Sequence, residues 1–597
     1  MATKKQTKIQ TLPEGAFRIS NFAGGLNLRD APHLLQDNEA LELDDVVFSE
    51  VGALAKRGGY EKWNTSKVAE GNCYGLFRYK GTPSEWVLII DDSFYVGDDT
   101  TKSFTQLATG FQEAHWIGVQ IDEYLFLTNG EDIPQKFDGT NLYMLGVEAP
   151  DEAPTLTYNA TGTLPAGTYY YRITFVGEGV ESSLGKEASI TTTAAGSIDL
   201  SDIPISTDPQ VAKKRIYRSK VNDPSTFYFV EEIGNLDTIY NDDTEDSDLG
   251  DIGVWYRNPP NNATAMAWWK SRLWINDVNN PQYIWFSRPW EPQAFDPEMG
   301  IKLSLSGDDK VIALLAQGDN LVVYCQQSIW LITGSTDYEF TPVGTYAEEG
   351  IYSYLSPTQA FNTHFIIARK AIFQFENGAT QEISAKIKQA FDWADINWLA
   401  LGQLLYYPNP QQRLLLFPLK EKDLITPPET CRVYTMVYDL RFQAWIRWNI
   451  PMQRMALDEN EDLYFTLIDP NTLTGTGYIY RYSPDIYTDD GQPITFSWAS
   501  KLFFFDNETI PKGMRRLGVV GRVQGGSFQI TIVADGGNGG SQTLNISKDA
   551  FPAYYGEAEY SYSYYAGIEP QTWLISCQDS IIGRYIQLFV KGVSNAK

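Results

Sequence analysis

Short apolar runs, each ended by a polar turn, recur along most of this chain. Cys73-Tyr-Gly-Leu-Phe-Arg-Tyr79, a turn at Gly81-Thr-Pro83 and Trp86-Val-Leu-Ile-Ile90 predict one hairpin. His115-Trp116 to Val119 and Tyr124-Leu-Phe-Leu127, joined at Asp122-Glu123, predict another. Asn129-Gly130 and Asp138-Gly139 mark further hairpin turns, because both pairs tolerate the left-handed backbone region. The same phrase returns after residue 260. It runs through Met266-Ala-Trp-Trp269 and Arg272-Leu-Trp-Ile275, Val311-Ile-Ala-Leu-Leu315 and Leu321-Val-Val-Tyr324, and His364-Phe-Ile-Ile-Ala368 and Ala371-Ile-Phe-Gln-Phe375. Leu404-Leu-Tyr-Tyr407 with Leu414-Leu-Leu-Phe417, then Leu463-Tyr-Phe-Thr-Leu467 and Gly477-Tyr-Ile-Tyr-Arg-Tyr482, continue it. Strand–turn–strand units at roughly 40-residue spacing are the mark of β-propeller blades. An antiparallel sandwich array is the structural rival. The expectation is a mainly β chain built on an irregular β-propeller, with a blade number that the uneven spacing hides.

Two segments break the rhythm. Residues 148–255 open on the Pro-containing seam Glu148-Ala-Pro150 and Ala153-Pro154. Within them Tyr169, Tyr171, Ile173 and Phe175 alternate onto one face, as in a half-buried strand. This segment looks like a fibronectin type III or immunoglobulin-like β-sandwich inserted into the propeller. It holds 19 acidic and 7 basic residues between Glu148 and Asp251, a net of −12 out of −28 for the whole chain, so a solvated, projecting module is expected. Residues 486–597 read as a separate C-terminal β-sandwich. Its strands are Ile494-Thr-Phe-Ser-Trp498, Leu502-Phe-Phe-Phe505, Arg516-Leu-Gly-Val-Val520, Phe528 to Val533 and Arg584 to Val590. The division is therefore a polar arm at 1–20, propeller at 21–147, the insert at 148–255, propeller again at 256–485, and the terminal sandwich at 486–597.

The N-terminal stretch is distinctive. Phe22-Ala-Gly-Gly-Leu-Asn27 is followed by Asp37-Asn38-Glu39-Ala40, Gly52-Ala-Leu54 and Lys56-Arg-Gly-Gly-Tyr60. Asp37 and Glu39 predict a short helix start, one accepting from free N–H groups and the other meeting the positive dipole end. Gly52, Gly58 and Gly59 are expected to supply the positive φ angles of tight turns.

Composition narrows the function. With 597 residues, the chain needs several cores. The net charge of −28 argues against wrapping nucleic acid; it suits a wall to which DNA must not stick, and ordinary solubility explains it equally. Cys73, Cys325, Cys431 and Cys577 are widely spaced, which points away from a disulfide framework and toward assembly in a reducing cytoplasm. The basic start Met-Ala-Thr-Lys-Lys lacks the apolar core of a signal peptide, and no apolar run approaches the ~18 residues of a membrane helix.

Catalytic patterns are missing. His33, His115 and His364 are the only histidines and have no metal-ligand spacing; beside Trp116 and Phe365 the latter two read as packed strand residues. No GxSxG elbow, Walker loop or defined glycosidase carboxylate pair is present, so neither an enzyme nor a cofactor is expected. One metal candidate stands out: Asp242, Asp243, Glu245, Asp246 and Asp248 offer oxygen ligands that could suit calcium, although the glycine falls in the wrong place for an EF-hand. An acidic loop returning to the propeller explains the same residues. Lys213, Lys214, Arg215, Arg218 and Lys220 form the strongest basic cluster, expected to be a salt-bridged surface. Trp268, Trp269, Trp285 and Trp290 suit either sugar stacking or blade packing.

Taken in order, several of these phrases resemble the tail nozzle proteins of short-tailed bacteriophages, also described as tail tubular protein B-like or packaged-DNA stabilisation proteins. The N-terminal stretch carries the likeness first. Arg272-Leu-Trp274 with Trp285-Phe-Ser-Arg288 and Phe295-Asp-Pro297, Leu321-Val-Val-Tyr324 with Ser328-Ile-Trp330, and Glu349-Gly350 before Phe373-Gln-Phe375 extend it over most of 20–480. The resemblance implies a structural virion protein of the tail, assembled in the host cytoplasm as a homo-hexamer. It further implies a nozzle ring that closes the DNA channel, retains the packaged genome and opens for ejection. The implied partners are the adaptor and portal assembly, tail fibres or tailspikes, and viral DNA that passes without sequence-specific binding. The gate residues are not readable. The alternatives are a β-propeller glycan hydrolase or a glycan-binding protein of the tail tip.

Overall fold

The apolar runs lie where a strand has a neighbour on each side. In the computed structural model, Val87 and Ile89 pack against Leu125, Leu127 and Phe137, while Trp86, Leu88 and Ile90 face Tyr464 and Ile479. Leu321 and Val323 meet Trp274 and Phe286, and the intervening Val322 and Tyr324 meet Ile366 and Phe375. A strand clamped in this way has no solvent face, so alternation gives way to an unbroken apolar run. Each such side chain contributes about 1.5–3 kcal/mol on burial. The structure describes residues 17–505 except 20, 50, 178, 254, 256–257, 348 and 423–431, then 509–521, 527–547, 571–577 and 581–594. Most of the arm at 1–20, Cys431 and parts of the terminal sandwich lie outside the described residues.

Among the described residues, seven four-stranded antiparallel units form the blades of a propeller. Blades 1 to 6 span 73–109, 117–144, 266–302, 311–344, 358–382 and 405–448. Blade 7 takes Met452–Leu457, Leu463–Ile468 and Gly475–Ser483, and then its outermost strand from far upstream, Gly59–Lys62. Tyr482 pairs with Tyr60 and Ser483 with Gly59. The inner strands Met452–Leu457 and Cys73–Tyr79 pack together, and Cys73 N donates to the Gln453 side chain at 3.2 Å, which closes the ring.

The N-terminal stretch departs from expectation in three ways. Glu39–Asp44 is a strand, not a helix start; it pairs antiparallel with Gln492–Ser500, Leu43 opposite Trp498. The Glu39 carboxylate accepts from Gln36 N at 2.8 Å and pairs with Lys386 at 2.9 Å, while Asp37 pairs with Lys501, so tertiary partners replace the helix dipole. Gly58 and Gly59 serve close backbone approach, because a Cβ on Gly59 would lie 2.0 Å from the Thr488 carbonyl oxygen; only Gly52 has the expected positive φ, +75°. Finally, residues 21–62 build no blade of their own: Gly59–Lys62 completes blade 7, and Glu39–Asp44 makes one parallel pairing, Asp44 opposite Arg447, with the outer strand of blade 6. On its other side Glu39–Asp44 adjoins the C-terminal sheet, whose order continues through Gln492–Ser500, Ile586–Ser594, Ser527–Ala534 and Ser541–Ser547. Arg516–Gly521 pairs separately with Gln571–Ser576. Leu502–Phe505, expected as a strand, makes only one bridge, Phe503 to Ile586.

The insert is a two-sheet sandwich. Thr155–Leu164, Gly196–Ser201 and Tyr240–Asp242 form one sheet. Gly167–Gly177 pairs with Val180–Glu181, Ala188–Thr192 and Val211–Ser219, the last pairing with Phe227–Gly234. Tyr169, Tyr171 and Ile173 fill its core with Ile198, Leu200 and Ile216. Its base is tied to blade 2: the Gln210 amide donates to the Met144 and Gly146 carbonyls at 3.2 and 2.9 Å and accepts from buried Lys136.

Candidate functional site

The turns joining the first two strands of a blade lie on the same propeller face as those joining its last two. On that face three large aromatics stand out of adjacent blades. Trp290, Tyr338 and Phe361 are 71%, 97% and 67% exposed, in blade 3, blade 4 and blade 5 turns respectively. Trp290 meets half-buried Trp268 edge-on at 6.2 Å between ring centroids. The turns beneath are fixed: Lys270 Nζ donates to the Gly334 carbonyl at 2.5 Å, and Arg272 pairs with Asp337. Large exposed aromatics on a rigid frame make a contact surface, since their area can be buried by a partner with little loss of side-chain freedom. Of the tryptophans singled out in the sequence, Trp269 belongs to the core with Trp274, Trp285 stacks on Tyr283 at 5.7 Å, and Trp290 is the one left largely uncovered. Tyr338 and Phe361 were not readable as exposed, because aromatic residues in turns also serve as blade packing.

A second feature is a polar cleft of about 410 Å³ between blade 6, the N-terminal stretch and the C-terminal sheet. Five of its lining residues form one ion-pair and hydrogen-bond network. Arg57 bonds Asp45 through Nε at 2.6 Å and takes both oxygens of Asp489 at 2.8 and 2.6 Å. Asn449 reaches Asp45 through N and Nδ2 at 3.0 and 2.7 Å, and Arg447 holds Asp44 in a bidentate pair. Burial alone would lower the Arg57 pKa, but Asp45 and Asp489 outweigh it and hold the guanidinium above its ordinary value. This arrangement ties the N-terminal stretch to blade 6 and to the C-terminal segment.

The acidic loop turns inward on the insert rather than gathering around an ion. Asp242 accepts from the Tyr171 hydroxyl at 2.7 Å and Arg218 Nη1 at 2.8 Å, and Asp246 accepts from Arg218 Nη2 at 2.8 Å. Asp243 receives Thr163 N, whereas Glu245 and Asp248 are exposed. Among the described residues no group of three or more His, Cys, Asp or Glu side chains could hold a metal ion. Lys213 and Arg215 form the expected salt-bridged surface, both on Glu232 with Arg215 also on Glu181, whereas Arg218 is fully buried on Asp242 and Asp246 and Lys220 lies over the Tyr228 ring. Lys214 is also buried, and its ammonium donates to the Ile203 and Pro204 carbonyls.

His115 and His364 pack, whereas His33 is exposed. His364 is fully buried, with Nδ1 facing the Tyr324 hydroxyl at 2.7 Å and Nε2 facing the Ala316 carbonyl at 3.2 Å. Burial lowers its pKa from 6.5 to about 4, against the Ala316 bond. The unfolded chain takes up this proton near 6.5 and the folded chain only near 4, so stability is full above 6.5 and falls with pH through that window. The loss amounts to about 3 kcal/mol. Thermal midpoints at pH 7 and pH 5 should therefore converge in His364→Gln relative to the unaltered protein. Equal pH slopes would refute this. His115, also pushed down by burial, keeps part of the slope in the variant.

No protein-family model and no curated protein matches the chain. Among solved structures it is similar to Sqt1 from Chaetomium thermophilum, at 9% identity over 71% of this chain and 97% of that one, with a TM-score of 0.32. A chain of the mitotic checkpoint complex gives 9% identity over 72% and 100%, TM-score 0.31. Hsv2 from Kluyveromyces lactis gives 10% over 64% and 97%, TM-score 0.23. The strand pairing is what defines the propeller; these likenesses say nothing of activity. Among the described residues no helix is long and apolar enough to cross a membrane.

Proposed function

We propose that the chain is a structural protein of a bacteriophage tail. In this reading it forms an oligomeric nozzle ring, a hexamer, that closes the DNA channel, retains the packaged genome and releases it into the host. The observation that carries the reading is the N-terminal clasp. The stretch on which the family resemblance begins supplies both the outermost strand of blade 7 and the strand that joins the C-terminal sheet to blade 6. A chain that must stand against packaged DNA needs domains joined by paired strands and buried ion pairs, and the clasp provides both. The net charge of −28 keeps a like-charged polymer from adhering to the wall. Partners would be an adaptor and portal above and fibres or tailspikes beside the ring, and no catalytic step is required. Virions produced without this chain should fill their heads and then lose the genome, read as packaged DNA becoming sensitive to added nuclease. Particles that lack the chain yet keep nuclease-resistant DNA would refute the reading.

A second reading rests on exposed Trp290 beside Trp268, an arrangement that could stack on a sugar ring. Host glycan binding abolished by Trp290→Ala would favour it, and unchanged binding would remove this site from consideration.

A further inference from the structure

Buried arginines in this chain come with carboxylates. Arg57 has Asp45 and Asp489, Arg218 has Asp242 and Asp246, Arg447 has Asp44, and Arg78 and Arg272 have Asp99 and Asp337. Arg454 is the exception. It sits in Met452–Leu457, the inner strand of blade 7, and is 6% exposed. Its Nη1 donates to the Leu401 carbonyl at 3.3 Å, its buried Nε meets no acceptor, and no carboxylate among the described residues pairs with it. A buried charge without a counter-charge is costly, and in a chain of net charge −28 it is not for want of acidic residues.

The surroundings place this group at one mouth of the propeller axis. His115 leads into the inner strand of blade 2, Tyr74 lies in that of blade 1, and Tyr354 precedes that of blade 5. The Tyr354 hydroxyl donates to the His115 carbonyl at 2.8 Å, and the Tyr74 and His115 rings are 4.9 Å apart. His115 Nδ1 is a second buried atom without a partner. Burial and the nearby Arg454 charge hold that histidine neutral, so Arg454 is the cation of the group. The inserted module leaves the propeller on this same face, between blades 2 and 3.

We propose that Arg454 is an anion site at this mouth of the propeller, taking a small oxyanion, phosphate or carboxylate, through its Nε–Nη2 edge. That edge of a guanidinium matches two oxyanion oxygens with parallel hydrogen bonds. The site is independent of the nozzle reading. In the full chain, saturating inorganic phosphate or acetate at constant ionic strength should raise the thermal midpoint by about 2–4 °C, and Arg454→Gln should abolish the response. A response to phosphate alone assigns phosphate, and a response to both assigns a general oxyanion site. No response to either, or an equal response in Arg454→Gln, overturns the proposal. Should that variant fail to fold, selenate-soaked crystals of the unaltered chain decide the matter. An anomalous selenium peak with oxygens within hydrogen-bond reach of Arg454 Nε supports the site, and ordered water alone there overturns it.

Discussion

Replacing Arg57 with methionine removes about 3–5 kcal/mol of stability from the junction between the propeller and the C-terminal sheet. Both carboxylates lose their counter-charge at once: Asp45 is buried, and Asp489 keeps only a fifth of its side chain in solvent. The Asn449 bonds to Asp45 survive, but they donate from a neutral amide and do not cancel its charge. Local loss reads out as faster amide hydrogen exchange in Glu39–Asp44 and Gln492–Ser500, the strands that meet beside the cleft. Exchange rates within threefold of the unaltered protein at neutral pH would contradict the account.

Removing the strand that completes blade 7 has an effect at least as large. Without residues 1–62 blade 7 keeps three strands, and Gly475–Ser483 becomes an exposed edge with Tyr480 and Tyr482 on it. The C-terminal sheet loses Glu39–Asp44 in the same step. The truncated chain should therefore fail to give soluble, cooperatively unfolding protein. Gly59→Ala tests the same strand with a single Cβ that must displace the Thr488 backbone, a strain of about 1–3 kcal/mol or more. A truncated chain with an unchanged thermal midpoint would show that neither blade 7 nor the C-terminal sheet depends on these strands.

The sequence was most legible where geometry forced a simple pattern. A blade's second strand is clamped on both sides, so Trp86–Ile90, Leu321–Tyr324 and Leu414–Phe417 announce themselves as unbroken apolar runs. The alternation of Tyr169, Tyr171 and Ile173 likewise matched a sandwich core. The closing strand did not show, because Gly59-Tyr-Glu-Lys62 buries little and finds its partner more than 400 residues downstream. The same distance misled the reading of Asp37 and Glu39. Local capping chemistry pointed to a helix, and pairing with Gln492–Ser500 prevailed. At the contact surface, turn aromatics such as Tyr338 carry no mark of exposure in the sequence. Arg454 lay hidden for the opposite reason. One arginine in Met452–Leu457 looks like an ordinary outward residue until the inner-strand position turns it toward the axis.

The most direct measurement is electron microscopy of the virion tail at a resolution that traces this chain. The account predicts six copies in a ring around the DNA path, each a seven-bladed propeller with its N-terminal clasp in place. Finding the chain only on the capsid surface or in fibres, or as single copies away from the channel, would contradict it.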